Sequence, residues 1–357
     1  MSKKYGIELL RELCLAFGPT GCEDEVADLI IARIKDSAQE IRRDLMGNVI
    51  AKMSFGNGDV RKKIMLCAHM DEVGFMVNEI GEDGSIRFAN VGGIDPSVLA
   101  GRKVTLGDER AESRIAGVIA SKAIHHKDKD ERGVPVKVKN LYIDIGAKDR
   151  EECEKYVSIG TFGTFDSEFI TFGKDGRTLK SKAIDDRMGC AVMIEIIDSL
   201  AENAPDLNLD VYFCFTVREE IGLSGAKTAA EKIAPDYAIV LETTAVGDIA
   251  DAPEARRVSK LGDGGTLSLM DRSTIYNKEL VAFALDVAKK NEIPAQVKKY
   301  VSGGNDAGNI HKTGVGVKAL ALSVPTRYLH SPSCVASLDD YESVIKLTEA
   351  MIRNFSI

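Results

Sequence analysis

No window of this sequence approaches the roughly 20 consecutive apolar residues that a membrane-spanning helix needs. No block of lysine and arginine forms the basic stripe that would offset nucleic-acid phosphate, and the formal net charge is −8. The densest charged run, His125 to Arg132, mixes both signs and reads as a solvated loop. Neither a membrane nor a nucleic acid is therefore expected as a partner. Cys-x-x-Cys spacing is also missing among Cys14, Cys22, Cys67, Cys153, Cys190, Cys214 and Cys334, which argues against a thiolate zinc site or a redox motif. Several of these cysteines sit inside apolar runs, and their odd number suits a reducing compartment better than a disulfide framework. The opening Met1-Ser2-Lys3-Lys4-Tyr5 leads straight into an amphipathic pattern without a signal-type apolar stretch, so a cytoplasmic location is expected. There is no internal repeat and no low-complexity linker.

What is present is a chain of 357 residues, 44% apolar and 29% charged, enough for one large domain or two modest ones with a dry interior. Spacing predicts helices over 7–17 and 23–34, separated by the breaker Gly18-Pro19-Thr20-Gly21, then strands over 48–53 and 63–68. From about Val73 to Thr178 the texture becomes short β runs between glycine turns. A hairpin turn is expected at Gly81-Glu82-Asp83-Gly84, and one short helix over 149–156. Near Ser181 helices and strands alternate again. Helices are predicted over 187–202, 226–231, 278–291 and 339–354, and strands over 210–217, 237–241 and 317–324. The expected fold class is α/β: a mixed sheet with a mostly parallel core sandwiched by helices, with a small β-barrel inserted. Residues 1–72 and 178–357 would form the discontinuous main domain, and 73–177 the insertion.

The polar residues fall in a pattern relative to those strands. His69 and Asp71 follow the strand ending at Ala68, Glu219 and Glu220 the strand ending at Val217, and Glu242 the strand ending at Leu241. His330 lies six residues past Val324, across a turn marked by Pro325. Open α/β sheets bind ligands outside the carboxyl ends of their strands. Asp185 and Asp186 precede a helix, whose N-terminal dipole favours their charge. Singly, the His–Asp pair could be structural, Glu219-Glu220 a charged turn and Asp185-Asp186 a cap. Jointly, two imidazoles and several carboxylates on one edge suit divalent cations, because so many like charges are costly unless neutralised. His69, Asp185, Glu220, Glu242 and His330 can hold two ions (Zn, Co or Mn) if one carboxylate bridges, and Glu219 remains free as general base. The Gly303-Gly304-Asn305-Asp306 turn offers a substrate backbone N–H groups, or Asp306 as acceptor, or else caps a helix.

These residues carry a family likeness. The run Ala68-His69-Met70-Asp71-Glu72-Val73-Gly74-Phe75 resembles the first metal motif of the M42 metallo-aminopeptidases (glutamyl or tetrahedral type), and Lys182-Ala183-Ile184-Asp185-Asp186-Arg187-Met188-Gly189 its bridging-aspartate motif. Thr216-Val217-Arg218-Glu219-Glu220-Ile221-Gly222 resembles the catalytic-glutamate motif. Ser302-Gly303-Gly304-Asn305-Asp306-Ala307-Gly308 and Arg327-Tyr328-Leu329-His330-Ser331-Pro332 resemble the last two, in the family's order. The resemblance implies a zinc-peptidase-like catalytic domain and a β-rich dimerisation insert. It makes Asp185 the bridge, with His69 and Glu242 on one ion and Glu220 and His330 on the other. Many relatives carry Asp where this chain has Glu242. Glu219 would be the general acid/base, Asp71 would fix the tautomer of His69, and Asp186 would support an unusual peptide geometry. The segment Thr243 to Asp248 would shape the substrate pocket, with Asp248 either a contact or a solvated turn residue, and Gly304 a further contact. The implied activity is removal of N-terminal residues from peptides by a metal-activated water that yields its proton to Glu219. Homo-oligomers from dimer to hollow tetrahedral dodecamer are implied by the likeness alone. Competing readings are an N-acyl amino acid deacylase on the same ligands, a glycosidase using paired carboxylates, and an assembly protein that has lost its metals.

Overall fold

The computed structural model of the chain describes residues 6–356 except 59, 109, 130–133, 251 and 255–256. In chain order its strands are β1 (Glu40–Arg43), β2 (Val49–Phe55), β3 (Lys62–His69), β4 (Gly74–Ile80), β5 (Ile86–Val91), β6 (Lys103–Gly107), β7 (Ile115–Ser121), β8 (Leu141–Asp144), β9 (Phe162–Phe165), β10 (Ile170–Phe172), β11 (Thr178–Ser181), β12 (Leu209–Thr216), β13 (Tyr237–Ala245), β14 (Gly265–Leu267), β15 (Ala295–Val297), β16 (Lys318–Arg327) and β17 (Cys334–Ser337). Its α-helices are α1 (Ile7–Leu15), α2 (Asp24–Ile34), α3 (Arg150–Cys153), α4 (Ile184–Glu202), α5 (Ser224–Ile233), α6 (Lys278–Lys290), α7 (Ala307–Ile310) and α8 (Leu338–Arg353).

The larger sheet runs β1-β2-β12-β3-β13-β16-β17-β11-β10, with β14 and β15 attached beside β16. Its centre, β12-β3-β13-β16, is parallel, and the outer strands on the main path pair antiparallel. Residues 64–69 of β3 are buried one after another. Successive side chains of a strand point to opposite faces, so both faces here are covered. That explains why the sequence shows an apolar run rather than alternation. Parallel register aligns the strand ends: His69 lies opposite Thr216, and Glu242 opposite Ser323.

The insert closes into a barrel in the order β4-β5-β8-β7-β6-β9. Phe75 fills its centre and meets Phe88 and Phe165 edge-to-face, with centroids 5.2 Å and 5.1 Å away. The β4–β5 hairpin turns where glycine allows it: the Gly81 N–H donates to the Ser85 carbonyl, and Gly84 sits at φ +78°. β10 belongs to the large sheet through its pairing with β11.

Three local expectations change. β13 continues to Ala245, so Glu242 lies inside a strand instead of after one. β16 continues through Pro325 to Arg327, because parallel pairing with β13 extends to its polar end. Pro325 falls where β14 has stopped pairing at Ser323 and β17 begins only at Thr326, so no ladder bond on that side needs its missing N–H. The helix expected over 149–156 is one turn, capped by the Asp149 side chain. His125 and His126 are exposed on a short turn, while 130–132 of the charged run lie outside the described residues. Among the described residues no helix is long and apolar enough to cross a membrane.

Candidate metal centre

His69 ends β3. Its Nδ1 bonds the Asp71 backbone carbonyl at 3.0 Å, which leaves Nε2 facing Asp185 Oδ1 at 3.2 Å, Glu242 Oε1 at 3.6 Å and Glu219 Oε2 at 3.9 Å. His330 sits in the connection between β16 and β17 at φ +57°. Its Nδ1 donates to the Gly93 carbonyl at 2.6 Å, and its Nε2 faces Glu220 Oε1 at 3.4 Å and Asp185 Oδ2 at 3.5 Å. Both imidazoles thus give one nitrogen to a backbone carbonyl and aim the other at carboxylates, which is how metal-ligating histidines are oriented. The two oxygens of Asp185 face different imidazoles, as a bridging carboxylate requires. The Asp185–Asp186 peptide is cis. Asp186 turns inward and accepts from the His69 and Gly189 N–H groups at 3.3 Å and 3.1 Å.

These residues fit divalent cations. Donor atoms of His69, Asp185 and Glu220 lie within 4.8 Å of one another, and so do those of His69, Asp186 and Glu242. Glu220 Oε1 is buried without a hydrogen-bond partner. Burial, with the neighbouring Asp185 charge, pushes the Glu220 carboxyl up to about 8. Burial pushes Glu242 up to about 7 against the pull of His69. Glu219 is raised well above the usual carboxylate range, chiefly by burial and by Glu242 and Asp306. Asp185 goes the other way: burial raises it, but its bonds to His330 and His69 outweigh that and hold it well below its ordinary value. An acid cluster under this repulsion is what bound cations would relieve.

Asp71 does more than the sequence suggested. Its carboxylate is 3.5 Å from His69 Nδ1, whose bond goes to the Asp71 carbonyl instead. Its two oxygens accept the Glu219 and Glu220 N–H groups at 3.0 Å and 3.1 Å, and Oδ2 also accepts from Thr20 Oγ1 at 2.8 Å. Glu23 Oε1 accepts the preceding N–H, of Arg218, at 3.3 Å. Two buried acids therefore receive three successive amides and fix the loop that carries Glu219. Sequence reasoning missed Thr20, Glu23 and Gly93; their only signals were the Gly18–Gly21 and Gly92-Gly93 breaks.

A cavity of about 580 Å³ opens beside the cluster and is lined by Thr243, Thr244, Lys298 and Gly304 among others. Of the expected substrate contacts, Gly304 is there and two are not. Asp306 is 1% exposed behind β3 and β12, where Oδ2 accepts from Thr216 Oγ1 at 2.7 Å and Cys67 Sγ at 3.4 Å. Asp248 is held by two of the three Arg327 guanidinium nitrogens, Nε at 2.9 Å and Nη2 at 2.8 Å, and receives the Leu261 N–H. An acid's partner more than seventy residues away leaves no local mark in the sequence.

The M42 glutamyl aminopeptidase profile matches residues 47–347. A putative aminopeptidase from Acetivibrio thermocellus is 38% identical over 97% of this chain and 98% of its own length. A lysyl aminopeptidase from Pyrococcus furiosus is 34% identical over 97% and 96%. Among solved structures, a TET aminopeptidase from a marine sediment archaeon of the Thaumarchaeota superposes with a TM-score of 0.93 at 36% identity, covering 98% of this chain and 96% of its own. The TET1 peptidase of Pyrococcus horikoshii, which can assemble into a tetrahedron or a large octahedral shell, gives 0.85 at 34%, covering 98% and 99%. With the profile spanning most of its length and relatives above 30% identity along nearly all of it, the chain belongs to the M42 glutamyl aminopeptidase family.

Proposed function

We propose that this chain is an aminopeptidase that holds two divalent ions per subunit, one between His69 and Glu242, the other between His330 and Glu220, with Asp185 shared. The observation that carries this reading is that Asp185 offers one oxygen toward each imidazole. Bound ions there would supply Lewis acidity and make water a nucleophile near neutral pH; Zn, Co and Mn all suit the donor set. Glu219 Oε2, outside the ligand set, would take the proton of the attacking water and return it to the leaving amine. Asp71 and Glu23 keep its loop fixed through the amides of residues 218–220. The acid cluster would attract the free α-amine of a peptide, which an N-acyl substrate lacks. The test is a rate comparison of free-amine dipeptides with their N-acetyl forms, alongside metal analysis. Faster hydrolysis of the acetylated forms would replace this reading with a deacylase.

Removing the metal should make stability depend on pH in a defined direction. Glu220 and Glu242 rise from 4.5 to about 8 and about 7 in the fold, and His330 rises from 6.5 to about 9, where its bond to Asp185 and the Glu220 charge overcome burial. In each case the folded state binds the proton more tightly than the unfolded chain. Stability is then lost as pH climbs through these raised values. The chelator-treated protein should therefore show a Tm that falls between pH 5 and 9. Divalent metal should restore it, by more at pH 8 than at pH 6, since the cation competes with these protons. A flat Tm profile without metal would contradict the assignment.

We also infer homo-oligomers, from dimer to dodecamer, supported by the likeness to the TET1 assemblies, with the barrel segment 73–177 as dimerisation unit on the catalytic residues 1–72 and 178–357. A cytoplasmic setting is supported by seven buried cysteines, none of them joined in a disulfide.

A further inference from the structure

A second cavity, of about 470 Å³, opens in the barrel wall and shares no lining residue with the one beside the metal centre. It lies where β5 and β8 part. The two strands meet through Ile86 and Ile143, and Arg87 Nη1 then reaches across to the Leu141 carbonyl at 2.9 Å. That uses one of the five guanidinium donors, and the Tyr142 ring centroid lies 5.8 Å from the guanidinium carbon. Lys127 and Lys139 line the same cavity, and among the described residues no Asp or Glu does. Among the described residues, none of Arg87, Lys127 and Lys139 forms an ion pair within 4.0 Å. Glu79, opposite Arg87 on β4, stays beyond that distance. Asp83 instead bonds Ser85, whose Oγ donates at 2.6 Å and whose N–H donates at 3.1 Å. Lys122 adds a fourth charge and has a partner of its own, which leaves three cations without a close counter-charge. Part of the wall is the 134–136 segment: Val136, with nearby Val138, packs on the barrel core, while Val134 stays 53% exposed.

We propose that this cavity binds a diphosphate group, carried by free pyrophosphate or by a nucleoside diphosphate. Like charges gathered in a cleft focus their field on whatever enters it, and in a chain of net charge −8 such a gathering does not follow from composition. A single phosphate brings about −1.5 to −2 at pH 7, less than three cations call for. A second phosphate supplies the missing charge and lets the ligand reach cations on separate segments. Arg87 offers a planar fork to phosphate oxygens, and the two lysines add point charges on flexible stems. The exposed Val134 gives a nucleoside an apolar surface that inorganic pyrophosphate has no use for.

The test is calorimetry of the metal-loaded protein with phosphate, pyrophosphate and ADP, repeated on Lys127→Gln, Lys139→Gln and the double variant. Lys127 is half-buried and Lys139 exposed, both on short turns outside the metal centre, so their replacement leaves the hydrolytic residues in place. Pyrophosphate or ADP should bind once per subunit and about 10-fold or more tighter than phosphate. Each single variant should weaken that binding about 10-fold, the low end for a charged hydrogen bond, and the double variant about 100-fold. The kcat on an aminoacyl-p-nitroanilide should not change, and the binding result stands whether or not the chain cleaves peptides. ADP bound more tightly than pyrophosphate assigns the nucleotide as the source; pyrophosphate at least as tight assigns the inorganic ion. Undiminished binding in the double variant overturns the proposal, and its loss with chelator would place the ligand on the metal centre. No heat with either diphosphate overturns it as well, and so does phosphate bound as tightly as pyrophosphate. A glutamate-rich peptide bound more tightly than both would replace it with a protein-docking surface.

Discussion

Glu219→Gln is expected to lower kcat by about 10²- to 10⁴-fold with KM nearly unchanged. Glutamine has the shape of glutamate, and the contact that fixes this residue is its backbone N–H donating to Asp71 Oδ1 at 3.0 Å, which the substitution leaves alone. Glu219 Oε2 lies 3.9 Å from His69 Nε2, farther than Asp185 or Glu242, as suits a side chain beside the ligands but not among them. Metal content should therefore stay at the wild-type level. What disappears is a carboxyl whose pKa burial and neighbouring acids raise well above its ordinary value, so that it holds a transferred proton more tightly than a free carboxylate would. Steady-state kinetics with parallel metal analysis checks this. A variant at wild-type rate would move the base elsewhere, and a variant without metal would make Glu219 a ligand. Asp71→Asn serves as the companion: it replaces one amide-accepting oxygen by an N–H₂ group, disturbs the loop, and should lower kcat by a smaller factor.

How much of this was legible in the sequence follows from the distance over which each residue finds its partners. His69, Asp185 and Glu220 stand in runs whose local order already carries the chemistry, and the structure brings them together. Glu242 was found for a partly wrong reason, because a strand end was inferred where apolar residues stop, while parallel pairing with β16 carries β13 to Ala245. His330 was found, but its orientation comes from the Gly93 carbonyl, 237 residues earlier on the segment between β5 and β6. Single-sequence patterning holds no trace of such a contact. The same limit explains Asp248 and Asp306, polar residues near functional runs that are consumed by Arg327, Thr216 and Cys67. The parallel core and the barrel were readable because burial on both faces, or glycine-punctuated alternation, leaves its period in the sequence.

The second large effect concerns the junction of sheet and barrel, where Glu72→Gln should cost about 3–5 kcal/mol of stability. Glu72 Oε1 accepts Lys182 Nζ at 2.5 Å and Arg187 Nη2 at 3.4 Å, and Oε2 accepts Thr164 Oγ1 of β9 at 2.7 Å. Their side chains are 3%, 5% and 0% exposed for Glu72, Lys182 and Arg187, so water cannot replace a lost partner. The cluster holds two cations and one anion, and the shortfall is met by carbonyls: Ala16 for Lys182, and Met70, Leu13 and Gly18 for Arg187. Glutamine keeps the shape and removes the only negative charge. Two buried cations then face each other, and Lys182, whose pKa burial already lowers, drops further. A depressed lysine pKa means that the unfolded chain binds more protons, so the variant should regain stability as pH rises toward 10. Adding Lys182→Met to Glu72→Gln removes one of the stranded cations and should recover more than half of the loss, measured by denaturant unfolding of both variants. A double variant no more stable than Glu72→Gln would mean that the cost lies in the Thr164 tie to the barrel. In that case the loss should follow Thr164→Val instead, and His330, oriented by Gly93 of the barrel segment, should lose activity along with it.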